Sequence, residues 1–158
     1  MPQPAVLWSE DLSATHTVKQ IFIDNGKNWL TTTGFTGHGF TIKLSDCKIN
    51  VAGIKIKNTV NGEYRNRAMK QFHVSGAKKS DLRWYWEQLL EEEFEDPLSN
   101  DSPNPQIETF YFNETVQTQL LKFEVESFWG NLGGGLDFFE VITVSGNYRF
   151  KFLPASDV

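Results

Sequence analysis

Four groups of residues in this sequence are of types that do chemistry, and each lacks the spacing or the neighbours its chemistry needs. Glu91, Glu92 and Glu93 form an acidic run. Carboxylate pairs hydrolyse glycosides only when two of them flank a bond at a set separation, and consecutive acids are the ordinary composition of a solvated face. The three histidines, at 16, 38 and 73, do not fall at metal-ligand spacing. Cys47 is the only cysteine and has no neighbouring His to activate its thiol. Gly133-Gly134-Gly135 is not followed by Lys-Ser or Lys-Thr, so it makes no phosphate loop and reads as a flexible hairpin connection. We expect no enzyme and a role in binding.

The elements that would position a binding site read as strands. Short runs of alternating, β-branched or aromatic residues recur, each bounded by Gly, Asn, Asp or Pro. Strands are expected near Lys19–Ile23, Phe40–Leu44, Ile49–Lys57, Lys70–Ser75, Leu82–Trp86, Glu108–Phe112, Leu120–Val125, Phe138–Val144 and Tyr148–Phe152. In Ile54-Lys55-Ile56-Lys57 the isoleucines share one face and the lysines the other, as a half-buried antiparallel strand requires. Leu121-Lys122-Phe123-Glu124-Val125-Glu126 repeats the device. Residues 81–95 have a competing helical reading, because Glu, Gln and Leu favour helix and Asp81 would cap it. The stretch from Asp96 to Gln106, with its prolines, is a surface loop on either reading. The pattern is that of an all-β sandwich, with residues 1–158 forming one domain.

Composition bounds the partners. A chain of 158 residues buries roughly 68–70% of its unfolded surface and so supports one sizeable core. The net charge of -5 gives no global field for a polyanion, which argues against nucleic acid. Aromatics make up 14% of the chain, more than such a core needs, so some should face solvent or a ligand. No apolar run approaches the length of a transmembrane segment, and residues 1–17 lack the regions of a signal peptide. A lone cysteine permits no internal disulfide and points towards a reducing compartment. Localisation stays open between extracellular, if the chain is cut from a larger secreted protein as the sequons at Asn100 and Asn113 would suit, and cytoplasmic.

Three stretches, in this order, carry a resemblance. They are Ile23-Asp24-Asn25-Gly26-Lys27-Asn28-Trp29, then Asn66-Arg67-Ala68-Met69-Lys70-Gln71-Phe72-His73-Val74, then Leu121 through Ser127-Phe128-Trp129-Gly130 to Gly133-Gly134-Gly135-Leu136-Asp137-Phe138-Phe139-Glu140-Val141. The order resembles the discoidin family, the coagulation-factor (F5/8) type C domains of the galactose-binding-like fold. The resemblance implies a jelly-roll β-sandwich of about eight core strands, with ligand-contacting loops at one end. It also implies that the domain binds sugars, phospholipid headgroups or proteins without chemistry. The family's bracketing pair of cysteines is absent, so no disulfide closes this version.

Many relatives hold a structural calcium ion between the early loop and the last long strand, and the resemblance places Asp24, Asn28 and Glu140 there. Their oxygens suit a hard cation. The competing reading is a plain Asp-Asn-Gly turn beside an outward strand position. The loops implied to meet a ligand carry Trp29, then Asn61, Tyr64, Arg65 and Arg67, then Phe128, Trp129 and Asn131. Sugar recognition uses an aromatic face for the apolar side of the ring and forked polar groups for adjacent hydroxyls. Against this, Trp29 opens a strand-like run and suits the core, and Arg67 suits a cross-strand ion pair. Trp129 stands beside glycines, where no core position is expected, and ranks first. His38 is not followed by the Arg-x-Asp of the fucose-binding branch, so it reads as a solvated loop histidine.

The leading expectation is a lectin-like carbohydrate-binding module for a galactose-like glycan or glycoprotein. The runner-up is a cell-adhesion or scaffold domain for a protein or an anionic phospholipid surface, served by a basic patch of Lys55, Lys57, Arg65 and Arg67.

Overall fold

The structure, a computed structural model, describes residues 5–9, 11–22, 26–31, 39–59, 67–96, 105–130, 133–144 and 149–150. Within them ten strands pair into two antiparallel sheets. The strands are β1 (Ala5–Ser9), β2 (Trp29–Leu30), β3 (Gly39–Lys43), β4 (Ile49–Asn58), β5 (Met69–Ser80), β6 (Arg83–Glu93), β7 (Glu108–Thr118), β8 (Leu120–Phe128), β9 (Gly135–Thr143) and β10 (Arg149–Phe150). One sheet runs β1-β3-β8-β5-β6; the other runs β10-β9-β4-β7, with β2 also on β9. The expected all-β sandwich of galactose-binding-like type is what forms. No helix among the described residues is long and apolar enough to cross a membrane.

Period-2 patterning decides which face each strand buries. Ile54 and Ile56 on β4 are buried, as are Leu121, Phe123 and Val125 on β8, while the intervening lysines and glutamates lie towards solvent. Between the sheets the aromatic rings interlock. Phe40 stacks on Phe123 with centroids 5.2 Å apart, Phe72 stacks on Phe123 from the other side at 5.3 Å, and Trp29 meets Phe40 edge-on at 5.2 Å. Each fully buried ring contributes roughly 1.5–3 kcal/mol. Phe123, at the centre of the stack, is the ring whose truncation would cost most, about 3–5 kcal/mol.

Three expectations are corrected. The segment expected as the strand Lys19–Ile23 is a 3-10 helix, Val18–Phe22, with Ile23 itself outside the described residues. Its buried residues are Val18, Ile21 and Phe22, a three-and-one spacing that a strand would split between two faces. Within 81–95 the strand reading holds, running as β6 from Arg83 to Glu93, and the competing helix does not form: Asp81, at φ 54°, is a turn residue rather than a cap, and pairing with β5 overrides the helical propensity of the Glu and Leu residues. The strands expected at Lys70–Ser75 and Glu108–Phe112 run on to Ser80 and Thr118, because their partners continue alongside. Two strands, β1 and β2, were not anticipated, so ten strands form among the described residues where the residue pattern gave nine and the family resemblance implied about eight. Of Tyr148–Phe152, the structure describes only Arg149 and Phe150, as β10.

Candidate functional site

The last residues of β4 and β8 and the first of β5 and β9 lie at one end of the sandwich, where buried polar groups fix them. Asn58 closes β4 against the start of β5: its Nδ2 donates to the Met69 carbonyl at 2.9 Å, and its Oδ1 accepts from the Met69 N–H at 3.1 Å. Both atoms are buried, so each unmade bond would leave a backbone group without water. Thr31 does the same for β9. Its N–H donates to the Gly134 carbonyl at 2.8 Å, and its hydroxyl accepts from the Gly134 N–H at 3.0 Å. A Cβ on Gly135 would lie 2.1 Å from the Trp29 carbonyl oxygen, and one on Gly134 would lie 2.6 Å from the Phe128 ring. The triple-glycine stretch is therefore a site of close backbone approach at these two positions, not a loose connection.

Trp129 leaves β8 into this frame. Its N–H donates to the Ala68 carbonyl at 3.0 Å, and its indole Nε1 donates to the Phe94 carbonyl at 3.1 Å. Lys70 Nζ stands 4.5 Å from the ring centroid. The ring is half-buried, held at both its backbone and its polar edge, and covered on one face by an ammonium. Arg67, one residue before Ala68, is half-buried, and its Nη1 is buried with no hydrogen-bond partner among the described residues. The cross-strand ion pair expected as its alternative role is not present among those residues. Phe128 packs its ring on Gly134 and against the core.

The carboxylates near this end are held in their neutral forms more readily than usual. Burial raises the Asp137 carboxyl, with the Thr59 hydrogen bond and the Lys57 charge pulling it back. Burial also raises Glu108, reinforced by the neighbouring Glu95 and Glu92.

Of the residues expected to bind a ligand, Arg67, Phe128 and Trp129 come together here. Trp29 is a correction: it is fully buried, packed edge-on against Phe40 and Phe123, and offers no ring face to a ligand. Asn61, Tyr64, Arg65 and Asn131 lie outside the described residues, as does Asp24 of the expected cation set. The other two of that set, Asn28 and Glu140, lie on the stretch leading into β2 and on its neighbour β9. Asn28 Oδ1 is bonded to His16 Nδ1 at 2.7 Å, the β2–β9 register sets Asn28 alongside position 137, and Glu140 is buried further along β9, opposite Lys55. Among the described residues no three His, Cys, Asp or Glu groups are placed to hold a metal ion. His38 also lies outside the described residues.

Sequence reasoning missed the residues that hold Trp129 and the two roots: Lys70, Phe94, Asn58 and Thr31. Lys70 stood within a motif already singled out. The bonds of Phe94 use only its backbone, which leaves no trace in residue type. A second aromatic group was also missed. Leu82, Trp84, Tyr85 and Trp86 are exposed on the β5–β6 hairpin, at 92%, 53%, 47% and 40%. Their signal was the aromatic pair two residues apart, which puts both tryptophans on one face.

Fold and site together define a discoidin-type β-sandwich with a loop-end surface. Residues 13–133 match the model of the Sad1 / UNC-like C-terminal family, and the chain belongs to that family. No curated protein matches it in sequence. Several solved structures share the fold. Chitosan-binding module 1 of a chitosanase/glucanase from Paenibacillus superposes with a TM-score of 0.64 at 14% identity, covering 87% of this chain and 92% of that one. The F5/8 type C domain of a Bacteroides fragilis protein gives 0.64 at 10% identity, covering 95% and 93%. The family 32 carbohydrate-binding module of Clostridium perfringens NanJ, solved in complex with galactose, gives 0.59 at 13% identity, covering 87% and 90%.

Proposed function

We propose that this chain is a non-enzymatic carbohydrate-binding module that takes a galactose-like glycan at its loop end. The observation that carries the reading is the Trp129–Arg67 pair. An indole fixed through Nε1 to the Phe94 carbonyl presents a ring of set orientation, and Arg67, whose neighbour Ala68 accepts the Trp129 N–H, has a buried guanidinium nitrogen with no hydrogen-bond partner among the described residues. A sugar fits both needs, with its C–H face on the ring and adjacent hydroxyls on the guanidinium fork. The fixed roots reduce the ordering cost at binding. Sandwiches of the same fold include modules whose names or bound ligands are chitosan and galactose, and this supports a glycan as the ligand class.

The test is a glycan array carrying galactosides and chitooligosaccharides, probed with the wild type and with Trp129→Ala and Arg67→Ala. Selective binding that both variants lose supports the reading. Binding that survives both substitutions, or no binding at all, overturns it. Repeating the array with a chelator tests the calcium expectation, and an unchanged signal removes the cation from the account.

A further inference from the structure

β6 forms one edge of its sheet, and among the described residues no strand pairs with its outer side. The hairpin turn is two residues, Asp81 and Leu82, between the paired Ser80 and Arg83. A two-residue turn makes its flanking pair hydrogen-bonded, and antiparallel alternation then directs the N–H and C=O of Trp84 and Trp86 at the open edge. Proteins protect such edges with lysines, prolines or bulges. β6 does carry a bulge, where Val74 and Ser75 face Leu90 and Gln88 and leave Leu89 over, but it lies beyond the aromatic stretch. From Arg83 to Glu87 the edge is regular and mostly exposed.

The five residues Arg83-Trp84-Tyr85-Trp86-Glu87 are complementary to themselves when reversed. About a two-fold axis at Tyr85, Arg83 of one copy opposes Glu87 of the other, Trp84 opposes Trp86, and Tyr85 opposes Tyr85. The Trp84 and Trp86 positions are those with edge-directed backbone groups, so each such pair closes two hydrogen bonds across the axis. Facing also agrees. Trp84 and Trp86 pair across the hairpin with Lys79 and Ala77 on the outer face of the sheet, while Arg83 and Glu87 belong to the opposite face. Arg83 has no ion-pair partner among the described residues, and Glu87 uses one oxygen on Lys78 at 2.6 Å.

We infer that the Arg83–Glu87 edge of β6 docks a second copy of this chain, joining two five-stranded sheets into one through an isologous, antiparallel contact. The partner is another copy because both the charge order and the facing repeat under the two-fold. An unrelated strand would have to reproduce them by coincidence. The inference does not depend on the glycan reading, and the hairpin residues are not those of the loop end.

The experiment is sedimentation equilibrium of the full chain over a wide concentration range, with Arg83→Glu, Glu87→Arg, their equimolar mixture, and Trp86→Pro. Each charge variant alone sets two like-charge pairs across the axis and should weaken self-association by roughly tenfold or more. In the mixture, a copy with acids at both positions meets a copy with arginines at both, so two opposite-charge pairs form again and a dimer should be recovered. Trp86→Pro removes an edge-directed donor where a fold tolerates proline, and should be monomeric with an unchanged circular dichroism spectrum. A wild type that stays monomeric throughout overturns the inference, as does a dimer indifferent to Arg83→Glu or a mixture that fails to recover it. Binding of phosphatidylserine vesicles by a strictly monomeric wild type would likewise overturn it and give the strip to a lipid surface.

Discussion

The loop end and the β5–β6 hairpin both present tryptophan beside lysine, yet they are built in opposite ways. Trp129 has its indole N–H on the Phe94 carbonyl, its backbone on Ala68, and Lys70 at 4.5 Å from its ring centroid. Trp86 and Trp84 also have ammoniums near their rings, Lys122 at 4.7 Å and Lys79 at 5.9 Å, but both rings stand on an edge strand with its outer backbone groups open. The first arrangement orders a single ring at the end of the sandwich where Arg67 has a buried donor with no partner among the described residues, and it suits a small ligand. The second repeats aromatic residues along an extended edge and suits a strand. Identical residue types thus suit different kinds of partner, according to whether their polar atoms are already engaged.

The comparison breaks most severely at Asn58. Asn58→Ala strips two buried bonds from Met69 and should cost about 2–3 kcal/mol of stability, read by urea unfolding. Below the unfolding transition it should also loosen the loop end while leaving the hairpin unchanged. Next in size, Trp129→Ala should cost about 2 kcal/mol of glycan affinity, roughly 30-fold in Kd by calorimetry, whereas Trp86→Pro should leave that Kd in place. Equal losses from both would erase the distinction between the regions. A gentler probe is amide hydrogen exchange. Protection at Trp84 and Trp86 should rise with protein concentration, and protection at Trp129 should rise only with added glycan.

The smallest expected effect is electrostatic. The folded chain holds Glu108 above its ordinary value of 4.5 by burial first, then by Glu95 and Glu92. The folded state therefore binds this proton more tightly than the unfolded state, and stability falls as pH rises from about 4.5 through the raised value. Glu108→Gln should raise Tm modestly at about pH 7, with the gain disappearing as the pH drops below 4.5, where the native residue is neutral as well. A Tm gain that persists unchanged at acid pH would assign the effect to packing.

Some of this was legible in residue order, and the physical reason differs from element to element. Ile54 to Lys57 and Leu121 to Glu126 show strict alternation, and a half-buried strand is the only element that buries every second residue, so those strands and their core faces could be read directly. Arg67, Phe128 and Trp129 were singled out because they fall in motifs that the discoidin-type fold brings to one end. Glu91, Glu92 and Glu93 with Leu89 and Leu90 misled in one of two readings, since local propensity there favours a helix and only pairing with β5 makes a strand. Val18 to Phe22 misled in the other direction, because buried aliphatic residues at short spacing serve a tight helical turn as well as a strand.

Local order along the chain thus determined the class of the fold and most of its strands, because alternation and turn chemistry act between near neighbours. Only the tertiary structure decided that Trp29 is core while Trp84 and Trp86 are surface, since burial depends on which strand comes to lie alongside. Likewise, the clamps from Asn58 to Met69 and from Trp129 to Phe94 join residues 11 and 35 positions apart. Contacts of that kind exist once the two sheets have met, and nothing in either residue's immediate neighbours announces its partner.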